Sequence, residues 1–175
     1  MDRSPPWSIS VRDPAVRGPH ELHRPAFSGD TGAADPELVA HLAALDGTAA
    51  RRLPAVRALA TARVFVPVTA ALTTDLASAS PGLDKHAEMA LVTITGRDGR
   101  RAVPAFTSAA ALLAWHPDVR PVPVEGARAA RTALDDGAAA VLVDPGQPTQ
   151  LVVTGSELDQ LAAVWSEATG GGPAG

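Results

Sequence analysis

Apolar positions along this chain switch between a helical spacing and a strand spacing, and the switches fall at capping and turn residues. Asp35-Pro36-Glu37 reads as a helix start: the carboxylate can accept first-turn N–H groups, Pro36 suits the first helical position, and Glu37 favours the positive dipole end. Leu38, Leu42 and Leu45 then share a face until Gly47 stops the helix. A second helix is predicted over 53–60, because Pro54 is tolerated only in a first turn, with Leu53, Val56 and Leu59 on one side and Arg51, Arg52 and Arg57 on the wet side. Arg63 to Val68 is a strand apolar on both faces, which places it in the sheet interior, and 69–85 is a loop or a strand extension plus loop.

Two hairpins and three helices complete the pattern. Glu88–Thr95 and Arg100–Phe106 flank Gly96-Arg-Asp-Gly99, a tight-turn sequence between β-rich runs. Thr107 or Ser108 caps a short helix over 109–115, ended by Pro117 acting on His116. Arg120-Pro-Val-Pro-Val124 reads as an edge strand, since its prolines lack donors. An Ala-rich helix over 125–136 stops at Gly137. Strands over 138–143 and 150–153 are joined by Asp144-Pro-Gly-Gln-Pro148, read as turn chemistry. Thr154-Gly-Ser-Glu157 has the form of a capping box, and Leu158, Leu161, Ala162 and Trp165 follow at i, i+3, i+4 and i+7. The expected fold class is α+β: a mixed, largely antiparallel sheet with hairpins at 88–106 and 138–153, packed by four to five helices.

The ends differ from this body. Residues 1–34 carry five prolines with interleaved charge and no apolar period, and read as a disordered or loosely attached arm; residues 168–175 read as a flexible Gly-rich tail. The body over 35–167 is long enough for one domain.

Composition narrows the chemistry. The 175 residues include no Cys, which excludes disulfides, a thiolate nucleophile, Cys-ligated zinc and thiolate-held iron–sulfur clusters. Aromatics make up 3%, the net charge is −4, and all but Lys85 of the 15 basic residues are Arg. A nucleic-acid surface would need basic clusters and stacking platforms, so nucleic acid is not an expected partner. Neither an export signal nor a span of about 20 apolar residues is visible, so membrane is not an expected partner and the expected location is cytoplasmic.

The chemical candidates are few. His86 and Glu88, two apart, would share a strand face as an acid/base pair or metal ligands, but no third ligand is fixed by spacing; the simpler reading is a wet strand start. Ser108 lacks a nucleophile elbow and reads as a helix cap, with Thr107 and Ser108 as a minor anion-binding alternative. Trp115 and Trp165 read as core anchors. Trp7, beside Pro5 and Pro6 in the arm, is a candidate contact for a partner or for the domain itself. No catalytic set, metal site or cofactor motif is expected.

Val64-Phe-Val-Pro-Val68, Ala105-Phe-Thr-Ser108 with Trp115 seven residues after the Ser, Pro121-Val-Pro123 and Asp144-Pro-Gly146 together resemble the SseB family, named for enhanced serine sensitivity, over roughly residues 35–165. The resemblance implies a cytoplasmic α+β domain of poorly defined biochemistry with no catalytic residues to carry over. The arm before Asp35 lies outside the family pattern, and longer relatives continue into a second domain. Rhodanese-type sulfurtransferases sometimes share the label, and the missing Cys separates this chain from them. The preferred expectation is a non-enzymatic module that binds a protein partner or self-associates. The alternative is an amino-acid or anion sensor, or an enzyme, with a site near His86/Glu88 or Thr107/Ser108.

Overall fold

The computed structural model describes residues 7–11, 27, 29–71 and 88–170. The elements run β1 (Trp7–Val11), α1 (Pro36–Ala43), α2 (Ala49–Thr61), β2 (Arg63–Ala71), β3 (Glu88–Gly96), β4 (Arg101–Ala105), α3 (Ala109–Trp115), β5 (Arg120–Glu125), α4 (Gly126–Asp135), β6 (Ala140–Val143), β7 (Leu151–Thr154) and α5 (Gly155–Gly170). The strands form one sheet in the order β5-β2-β3-β4-β6-β7, with β1 alongside β3. Only the β4–β6 pair is parallel among the described strands, so the sheet is mixed and mostly antiparallel, as the α+β pattern requires. Among the described residues no helix is long and apolar enough to cross a membrane.

The local signals explain most elements. Asp35 Oδ1 accepts from the N–H groups of Glu37 and Leu38, fixing the start of α1, and Leu38 and Leu42 are buried. The 96–100 turn closes with Gly96 N–H to the Arg100 carbonyl, and Gly99 has φ +77°, so a residue without Cβ is needed there. Gly137, with φ +67°, ends α4 in the same way.

Four expectations are corrected. Helix α2 begins at Ala49, four residues earlier than predicted, so Pro54 lies beyond its first turn; burial of Ala55 and Leu59 offsets the missing backbone bond. Leu53 is 51% exposed, whereas Leu59 is buried and Val56 packs against the core as expected, with Ala55 in place of Leu53. Arg52, though a third exposed, is not simply a wet-face residue: its guanidinium reaches Glu157 of α5 and the Val152 carbonyl of β7. Glu157 therefore turns toward α2 and not back onto its own helix start. Trp7–Val11 forms β1 against β3, and Asp30 to Ala33 contact Arg63 and α3.

Alternation along the strands creates two faces. The inner face, with Val64 and Val66 of β2, Val103 and Ala105 of β4, Val141 and Val143 of β6 and Val153 of β7, packs against α1, α2, α4 and α5. Gly126 allows α4 its close approach: a Cβ there would lie 2.0 Å from the Leu59 carbonyl oxygen. The outer face carries a smaller cluster of Phe65, Val92, Phe106, Leu112 and Val119, with Trp115 stacked 5.2 Å from Phe106. Trp165 packs half-buried against the inner core under Arg128. Both tryptophans are core anchors.

Candidate functional site

The Thr107–Ser108 junction is assembled by the parallel pair. Because β4 and β6 run the same way, their C-terminal ends lie side by side, and the Asp144 N–H donates to the Ala105 carbonyl at 2.8 Å. Asp144 adopts φ +46° and is buried, as is Thr107. Its carboxylate accepts from Thr107 N–H at 2.9 Å, from Thr107 Oγ1 at 2.9 Å and from Thr149 Oγ1 at 3.2 Å. Ser108 Oγ accepts from Ala111 N–H, so it caps α3, and the Gly32 carbonyl takes the Ala109 N–H. Arg63 joins the cluster by pairing with Asp30 at 2.9 Å, donating to the Thr107 carbonyl and covering the Phe65 ring.

Three of the N–H groups at this helix start, those of Thr107, Ala109 and Ala111, are thus engaged by Asp144, Gly32 and Ser108. The arrangement locks two strand ends, one helix and the 30–33 segment together. Asp144, read from sequence only as a turn residue, is the buried carboxylate at its centre. The signal that would have found it is the parallel pairing of β4 with β6, two strands separated by 34 residues that form one β-strand and two helices.

The other sequence candidates lie elsewhere. Glu88 opens β3 opposite Ala71, at the far end of β2 from Arg63. Eight strand residues at about 3.3 Å each put roughly 26 Å of strand between that end and the Thr107 cluster. The structure therefore does not bring Glu88 and Ser108 into one site. His86 lies outside the described residues. Trp7 opens β1 with its backbone opposite Gly96. Among the described residues no group of three His, Asp or Glu side chains is arranged to hold a metal ion.

The feature that sequence reading missed is the half of the outer sheet face that no described helix covers. Helix α3 covers the end of the sheet at Phe106, and beyond it a shallow concavity of about 410 Å³ opens over β3, β4, β6 and β7. The strand register explains its composition. Ile9, Ile94, Ala102 and Ala140 lie directly across from one another on successive strands, and Leu142 faces Val152. Directly opposed side chains share a face, so these residues form one apolar floor. Ile9 and Val152 remain 44% and 41% exposed. The rim is polar: Arg97, Asp98, Arg100 and Arg101 from the β3–β4 hairpin, with Gln150 and Thr154 opposite. Arg100 pairs with Asp98, whose carboxyl is held below its ordinary value by that hydrogen bond, and Arg101 donates to the Asp136 carbonyl.

The sheet's two ends in the strand order are poor templates for a further strand, while β1 pairs β3 alone among the described strands. Phe65 spends its N–H and carbonyl on Phe106, so Val64 and Val66 face β5 and bond Val124 and Val122. Positions 121 and 123 consequently point outward, and both are proline. At the other end, Arg52 occupies the Val152 carbonyl.

Comparison with known proteins adds the family. A model of the SseB protein N-terminal domain matches residues 38–160. The chain belongs to the SseB family. The match spans the elements from α1 into α5, and so includes the Thr107–Asp144 lock and most of the open concavity of this SseB domain. No curated protein and no solved structure matches the chain.

Proposed function

We propose that this SseB-family domain is a cytoplasmic, non-enzymatic module that binds a protein partner through the open half of its outer sheet face. The observation that carries this reading is the apolar floor of Ile94, Ala102, Ala140, Leu142 and Val152, aligned with Ile9, where the side chains of Ile9 and Val152 are exposed to solvent beside a half of the same face that α3 covers. Contiguous exposed apolar surface rimmed by polar groups favours association. The blunted ends at β5 and β7 favour a face over an edge as the contact.

A photoreactive residue placed at position 152 in the full chain, with position 53 as an equally exposed apolar control, tests the reading in cells. The expected result is a discrete protein adduct at 152, absent at 53 and lost when Ala102→Asp is added in a variant that still folds by circular dichroism. Equal labelling at both positions, or adducts insensitive to Ala102→Asp, would reject it.

A further inference from the structure

Resting on the face-binding reading above, we infer that the partner is an amphipathic helix with an aliphatic stripe flanked by carboxylates. Two observations select the helical form. An extended segment gains its affinity by adding backbone hydrogen bonds to a sheet edge, and at the two ends of the strand order this is obstructed: the outward donors of β5 are replaced by Pro121 and Pro123, and the Val152 carbonyl of β7 is taken by Arg52. A helix satisfies its own backbone and presents side chains alone, and the other half of this outer face is already covered by a helix, α3, through Leu112 and Trp115.

The charge follows from the rim. The residues lining the concavity include three Arg and one Asp, in a chain whose net charge is −4. Arg101 is engaged by Asp136 and Arg100 by Asp98, while Arg97, exposed at the turn, has no partner among the described residues. A carboxylate flanking the aliphatic stripe would meet Arg97, whereas a Lys or Arg there would face like charge next to apolar surface.

The test uses the full chain and two synthetic 18-residue helical peptides with the same Leu stripe at i, i+3, i+4 and i+7, one flanked by Glu and the other by Lys, followed by fluorescence anisotropy. The Glu peptide should bind at least about tenfold more tightly than the Lys peptide, consistent with a charge-pair difference of about 1.4 kcal/mol. Arg97→Glu should remove or invert that preference, and Val152→Asp should weaken both peptides; both substitutions are at exposed positions and are checked for folding by circular dichroism. Equal affinities, a preference unaffected by Arg97→Glu, or no binding by either peptide would overturn the inference. The fate of the broader reading is separate: a position-152 adduct whose crosslinked segment is basic or extended would leave face binding standing and refute the acidic helix. An adduct within the chain itself, or with a second copy, would refute an external partner.

Discussion

Replacing Asp144 by Ala tests whether the Thr107–Asp144 lock holds the strand ends together. The carboxylate satisfies Thr107 N–H, the Thr107 hydroxyl and the Thr149 hydroxyl, and the first two are buried. Truncation to Ala strands one buried backbone donor and one buried hydroxyl, each at about 1–3 kcal/mol. It also places a Cβ-bearing residue without a local polar group at φ +46°, which adds about 1 kcal/mol. The sum is about 3–7 kcal/mol, a large part of the 5–15 kcal/mol that a domain of this kind has in total. Asp144→Asn keeps an acceptor for Thr107 N–H, tolerates the left-handed backbone, and lets the Thr hydroxyls reverse direction toward its amide, so it should cost only about 1 kcal/mol. Urea unfolding followed by circular dichroism, with m-values compared to confirm unchanged compactness, reads the difference. If Ala and Asn variants unfold within about 0.5 kcal/mol of each other, the buried acceptor is not what stabilises the junction.

Three further outcomes are expected. Gly126→Ala should destabilise by about 2–3 kcal/mol in the same urea assay, since the new Cβ meets a backbone oxygen that cannot rotate away; an unchanged midpoint would contradict the close approach of α4 to α2. Glu157 is held below its ordinary value of 4.5 first by the hydrogen bond from Arg52, opposed by partial burial and aided by the charge of Arg52. Its folded-state value is lowered, so its contribution is present above the unfolded value and disappears as pH falls through the folded one. About a third of each side chain faces water, so Glu157→Gln should cost only about 0.5 kcal/mol at pH 7, a cost that disappears as pH falls through the lowered folded-state value, measured by thermal melts across pH. Pro121→Val with Pro123→Val restores two outward N–H groups on β5, and light scattering should show concentration-dependent association where the parent shows none at the edge; no change would contradict the role given to those prolines.

Local chemistry made much of the fold legible. Asp35-Pro36, the Arg97-Asp98-Gly99 turn and the i, i+3, i+4, i+7 run from Leu158 each act within a few residues, and each formed as its pattern implied. Helix α2 escaped because burial of Ala55 and Leu59 outweighs the local penalty of Pro54. Arg52 and Glu157 escaped for a different reason: each looks like a solvated or capping residue until α2 and α5 are adjacent, a contact between residues 105 positions apart. The same holds for Asp144, whose buried role depends on β6 lying parallel to β4. The open face was the least legible feature. Ala102, Ala140 and Leu142 read as ordinary strand residues, and only the register that aligns them with Ile9 and Ile94 shows one apolar floor with nothing packed on it among the described residues.

Methyl NMR on the full chain, titrated with the Glu-flanked Leu-stripe peptide, tests the central claim most directly, because it reports where contact occurs without altering a residue. Shift changes concentrated on Ile9, Ile94, Leu142 and Val152, with Leu112 and Val119 under α3 and Leu53 on α2 unmoved, are the predicted result. Changes centred on the β5 edge or on α2, or none at saturating peptide, would contradict it.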